Sequence, residues 1–157
     1  KTIRPSTYEL VVHLRTGDVI EDSAYSVDEL LGEMRNEWNN VTYVKPISYY
    51  ETEFNKFRGN ISIVTICSGG CASPPGGLRH PVSTRNAYQG RKTDFTKSKE
   101  YIQKIKEWFL QQYGIKTVNI RFREHPDDDF VYMVRSNHFI PSGGGFSELI
   151  GKLRDMR

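Results

Sequence analysis

Three polar side chains near the start of the chain have types and spacing suited to chemistry. In Val11-Val12-His13-Leu14-Arg15-Thr16-Gly17-Asp18-Val19, an apolar run ends in His, Arg and Asp around a glycine. If Glu9 to Arg15 forms a strand, successive side chains alternate faces, so His13 and Arg15 share one. Asp18 then follows the turn that Gly17 permits. A buried strand that delivers polar groups at its carboxyl end is where open α/β sheets bind ligands. An arginine there suits a bidentate grip on phosphate.

A second group lies near the other end of the chain. Ile140-Pro141-Ser142-Gly143-Gly144-Gly145-Phe146-Ser147 reads as strand, glycine-rich turn, then helix. A helix start offers free N–H groups that attract an anion. The stretch is not a P-loop, because no Gly-Lys-Ser/Thr follows, and it does not open a first βα unit as a dinucleotide fingerprint would. Read alone, three glycines also make a tight connection. Placed in one crevice, the two groups are complementary. Arg15 would take a diphosphate from one side, and the amides of Gly145, Phe146 and Ser147 from the other. His13 would hydrogen-bond a base or sugar, and Asp129 would accept from the N–H groups of a guanine.

Those residues need elements to hold them. After a lead-in containing Pro5, the strand Glu9 to Arg15 comes first. Ser26-Val27-Asp28-Glu29 forms a capping box, and Leu30, Leu31, Met34 and Trp38 continue at helical spacing to about Asn39-Asn40. Val41 to Val44 is a short extended piece. Ser48 to Phe57 predicts a helix stopped by Gly59, and Asn60 to Ile66 a β-branched strand. Residues 67–92 read as one long irregular loop, rich in Gly and Pro, of the kind that is functional or mobile. Within it, Arg79, Arg85 and Arg91 could close over phosphates. Lys97 to Tyr113 is an amphipathic helix ended by Gly114, with Trp108 in its apolar face. Thr117 to Phe122 is a third strand. A helix runs from His125-Pro126 through Arg135, with acids in its first turn. Asn137 to Pro141 is a fourth strand, and Phe146 to Met156 the last helix. Strands alternating with helices predict an α/β fold, a Rossmann-like parallel sheet flanked by helices.

Composition narrows the class. The chain has 157 residues, 37% hydrophobic and 26% charged, which suits a single domain, residues 1–157, with its own core. No apolar run approaches the roughly 18 residues of a membrane span, and no signal-peptide pattern opens the chain. A net charge of +3 is too small to argue for nucleic acid and fits a site for a small polyanion equally well. Cys67 and Cys71 read as two free thiols or a local disulfide. With the four histidines scattered, a zinc set is not expected. The N-terminus gives no cellular address.

A family resemblance can now be stated. His13-Leu14-Arg15-Thr16-Gly17-Asp18 resembles the His-x-Arg-x-Gly-Asp motif of fucosyltransferases that use GDP-fucose. Asp129-Phe130-x-x-Met133, then Ser136-Asn137-His138-Phe139-Ile140-x-Ser142 and Gly145-Phe146-Ser147, is similar to that family's late Asp-Phe, Met and Ser-Phe-Ser region. Tyr43-Val44-x-Pro46-x-Ser48-Tyr49-Tyr50 resembles a Pro-x-x-Tyr-Tyr stretch of related proteins. The resemblance implies one half of a GT-B-like glycosyltransferase, a nucleotide-sugar donor-binding domain. It implies inverting, metal-independent transfer of fucose to a glycan acceptor hydroxyl, with no cofactor beyond the donor substrate. Arg15 would support the departing diphosphate, His13 and Asp129 would frame the guanosine, and Ser142 and Ser147 with their neighbours would meet phosphate. Asp18 would hold the loop or meet the ribose. Asp18, Glu21 and Asp22 are base candidates by location alone.

Two departures from the family pattern stand out. The family's acceptor lobe has no counterpart here, so the chain reads as an excised piece or a small relative. Three glycines also replace the polar residues that usually precede Phe-Ser, which keeps backbone contacts and weakens side-chain ones. The alternative is a non-catalytic nucleotide or nucleotide-sugar binding module. The resemblance implies the Golgi lumen for an excised eukaryotic domain and the cytoplasm for a viral or bacterial one.

Overall fold

A computed structural model describes residues 4–32, 44–57, 60–69 and 94–156. Four strands form one parallel sheet: β1 (Glu9–His13), β2 (Ile63–Ser68), β3 (Thr117–Phe122) and β4 (His138–Ile140). Their order across the sheet is β3-β2-β1-β4. β1 aligns Leu10 with Val64 on one side and with His138 on the other. The helices are α1 (Asp18–Glu21), α2 (Val27–Leu31), α3 (Ile47–Phe54), α4 (Thr96–Leu110), α5 (Pro126–Val134) and α6 (Gly144–Asp155), with a 3-10 turn at Asn55–Phe57. The α/β, Rossmann-like class expected from the alternation is the one observed.

Period-two patterning gives the sheet an apolar core on each face, and helices bury both. Leu10, Val12, Val64 and Ile66 pack with Tyr50 of α3 and Tyr101, Ile105 and Phe109 of α4. Val11, Cys67 and Phe139 pack on the opposite face with Met133 of α5 and Ile150 of α6. The change of face follows from the strand order. Crossovers between parallel strands are right-handed, so when the chain reverses direction across the sheet its helices move to the other side. That reversal lies between β3 and β4, and it leaves β1 and β4 as neighbours with helices departing on opposite faces.

The structure shifts several expected boundaries. β1 ends at His13, not Arg15, because the amide of Leu14, bonded to the Cys67 carbonyl at 2.9 Å, is the last to reach β2. β2 continues through Cys67 and Ser68, which pair with Arg121 and Phe122, so the loop expected from 67 begins later. The last helix starts two residues early, at Gly144. The capping box at Ser26 is present in full. The far end of the helix that it opens, with Met34 and Trp38, lies outside the described residues. So do Tyr43, Gly59, Cys71 and Arg79, Arg85 and Arg91 of the expected lid. Among the described residues, no helix is long and apolar enough to cross a membrane.

Candidate functional site

The carboxyl ends of β1 and β4 bring the two sequence motifs together. β1 ends at His13, and the chain leaves it through Leu14 to Gly17 before turning into α1. Gly17 has φ 89°, a left-handed conformation that a side chain would strain. Its amide donates to the Ser98 hydroxyl of α4 at 2.9 Å. Thr16 and Ser68 share a hydrogen bond of 2.6 Å between their hydroxyls. The turn is thereby tied to β2 and α4, and Arg15 stands on a fixed base. Its Nη2 lies 3.2 Å from Asp18 Oδ1, and about a third of each side chain is exposed. The same Asp18 oxygen accepts from the Val19 amide at 2.9 Å. Asp18 thus orients Arg15 and gives a first-turn amide of α1 an acceptor.

On the neighbouring strand, β4 delivers Ser142, then Gly143 and Gly144 at φ 89° and 83°. Two successive left-handed residues turn the chain sharply into α6, and glycine makes that turn at least cost. Among the described residues, no side chain caps the start of this helix, and no side chain meets the amides of its first turn. Among the same residues, a methyl group at Gly145 would meet nothing within 4 Å, so their packing does not require glycine there.

His13 sits beneath this turn and is buried. Its Nδ1 lies 2.6 Å from Ser147 Oγ and 3.1 Å from Ser142 Oγ. The Ser142 amide donates to Ser147 Oγ at 2.9 Å. The Phe146 ring stands edge-on to the imidazole, centroids 5.3 Å apart, and also meets Phe130 of α5. Burial, aided by the positive charge of Arg15, lowers the His13 pKa from 6.5 to about 4. His13 is neutral at ordinary pH. Both serine hydroxyls are buried and face His13, while the Phe146 ring is half-exposed.

Asp129 lies on the same face of the sheet, over β2 and β3. Arg121 Nε donates to its Oδ1 at 2.7 Å. Burial raises its carboxyl above the usual range, against the pull of Arg121. Cys67, aligned between His13 and Arg121, is a buried thiol whose ionisation burial disfavours. Of the predicted residues, His13, Ser142, Ser147 and Phe146 form one contact cluster. Arg15 and Asp18 form a pair next along the chain, and Asp129 pairs with Arg121 while its neighbour Phe130 meets Phe146. Arg121 was missed by the sequence reading, and Glu21, a base candidate there, serves instead as a hydrogen-bond acceptor for α4, taking the Ser98 amide at 2.7 Å. Arg121 lies in an otherwise ordinary strand, and only the period-two phase, which sets it on the face of His13, offered a signal. Among the described residues, no group of three His, Cys, Asp or Glu side chains could hold a metal ion. The chain matches no family model, and neither the curated proteins nor the solved structures compared with it yield a match.

Proposed function

We propose that this domain binds a nucleoside-diphosphate sugar, GDP-fucose by the motif resemblance, and transfers the sugar to a glycan hydroxyl. One observation carries the reading. Arg15 and the uncapped start of α6 stand at the carboxyl ends of two adjacent strands, β1 and β4, where the strand order reverses. Open α/β sheets take their ligands in that crevice. A diphosphate there would meet a guanidinium from one strand and helix-terminal amides from the next. As the glycosidic C–O bond breaks, negative charge grows on the leaving diphosphate. Donors fixed in advance stabilise that charge, and losing one typically costs about 10²–10³ in rate. Phosphate would compete with Asp18 for Arg15, so Asp18 acts as the placeholder that keeps the guanidinium oriented. In this reading the GT-B-like acceptor lobe belongs elsewhere, on a partner or on further chain.

A binding module without transfer is the second reading, and the local acids favour it. Asp18 is engaged by Arg15 and by the Val19 amide, and Glu21 by the Ser98 amide. Neither is poised to take an acceptor proton. Calorimetric titration with GDP, GDP-fucose and UDP, with and without EDTA, tests the binding. The expected outcome is GDP and GDP-fucose binding that EDTA does not change and that Arg15→Ala weakens about 10- to 100-fold. Absence of GDP binding to the wild-type chain would sink both readings. Fucose release from GDP-fucose, or its transfer, separates the enzyme from the module.

A further inference from the structure

We propose that Ser147 and Ser142 are positioning residues that lock His13 in the tautomer bearing its proton on Nε2, so that the imidazole presents one fixed donor to an oxygen acceptor of the bound nucleotide. The ligand half of this inference rests on the nucleotide-binding reading above, and the tautomer half stands without it.

The argument is a count of protons and lone pairs. Ser147 Oγ already accepts the Ser142 amide at 2.9 Å. Its own proton has two possible destinations, His13 Nδ1 at 2.6 Å and Ser142 Oγ at 3.4 Å. The first is a short, strong contact and the second is marginal. If Nδ1 carried the proton, Ser147 would accept twice and its hydroxyl would be left with only the marginal contact, inside a site where it is 1% exposed. A buried donor without a good acceptor is costly. If Nδ1 is bare, the short contacts are all used: the Ser142 amide donates to Ser147, Ser147 donates to Nδ1 at 2.6 Å, and the Ser142 hydroxyl shares Nδ1 at 3.1 Å.

The proton then resides on Nε2. Among the described residues that nitrogen has no protein partner. The ring cannot rotate freely, because Phe146 stands edge-on against it. The relay also explains why serines stand at 142 and 147 although neither hydroxyl reaches solvent. They act through His13, and they tie the end of β1 to the start of α6. Because Ser142 precedes the glycine turn and Ser147 follows it, one hydrogen-bond set fixes both the donor and the amides beside it.

The test is nitrogen NMR of the full chain with labelled histidine, without ligand. The His13 signals are those missing from His13→Gln. The expected result is a bare-type Nδ1 and a protonated-type Nε2. A protonated Nδ1, or an average of both tautomers, would overturn the proposal. Ser147→Ala is expected to convert the single tautomer to a mixture while the other histidine signals stay in place. Should that variant unfold, the wild-type spectrum decides alone. Where GDP binds the wild type, Ser147→Ala is expected to weaken it about tenfold with Arg15 intact. Unchanged affinity alongside a lost tautomer would overturn the ligand half. Failure of GDP to bind at all would count against the nucleotide reading and leave the tautomer result to stand or fall on its own.

Discussion

His13 turns a packing position into a measurable pH dependence. The unfolded chain takes a proton at this side chain near pH 6.5, whereas the folded chain takes one only near pH 4. Between those values the unfolded state binds more protons, so stability rises with pH. The contribution is complete above 6.5 and lost as the pH falls to 4. Its size is about 3 kcal/mol. Denaturant titrations of wild type and His13→Asn between pH 4 and 7 are expected to show that slope in the first and not in the second. Gly145 makes a sharper functional test, because none of the described residues packs where its side chain would be. Gly145→Ala is expected to keep or raise stability, by up to about 1 kcal/mol, and to weaken GDP binding. Unchanged binding would remove the first turn of α6 from the proposed site. At this scale the sequence exposed residue types better than roles. His13, Arg15, Asp18 and the serines were legible as a polar set interrupting apolar runs. Their partners were not, because the bond from His13 to Ser147 spans 134 residues of chain and no local pattern encodes it.

Single elements follow local rules closely, and the exceptions are instructive. The capping box at Ser26, the proline opening α5 and the β-branched run of β2 were all readable from neighbours in sequence. The start of α4 was not. It begins at Phe95, in a left-handed conformation with φ 56°, and has no side-chain cap of its own. Glu21, from the far end of α1, takes the Ser98 amide instead, while the Ser98 hydroxyl takes the amide of Gly17. A cap supplied by a distant element is invisible to any local signature. It also means that α4 holds the turn after β1 in place. Glu21→Ala is expected to lower stability by about 1 kcal/mol, read as a fall of a few degrees in melting temperature. A Ser26→Ala variant loses the local capping box with Glu29. At matched stability it is expected to leave nucleotide affinity unchanged, where Glu21→Ala weakens it.

The order of the strands is a property of the whole chain. Alternation of strands and helices announces a parallel sheet with helices on its faces, but it does not say that β4 crosses to the far side of β1. That choice fixes which two strand ends become neighbours, and with it the location of the candidate site. Apolar faces on both sides of β1, β2 and β4 permit it, since each strand needs cover above and below. A buried polar knot helps to secure the amino-terminal side. Glu9, only 5% exposed, accepts from the Ser6 amide at 3.0 Å, the Thr65 hydroxyl at 2.5 Å and the Tyr132 hydroxyl, joining β1, β2 and α5. Tyr132→Phe removes one donor from a buried carboxylate and is expected to cost about 1–3 kcal/mol in chemical denaturation. The reversal at β3 also divides the polypeptide in an unusual place. The strands up to β3 form one side of the sheet with β1 at its border, and α5, β4 and α6 follow as a single unbroken segment. The connection between them, Arg123 to His125, is exposed. Cut there, the chain becomes two fragments, one carrying His13 and Arg15 and the other Ser142, Ser147 and the first-turn amides of α6. Neither alone owns a site, so mixing them would make nucleotide binding a readout of fragment complementation, with reassembly across the border of β1 and β4 as the event reported.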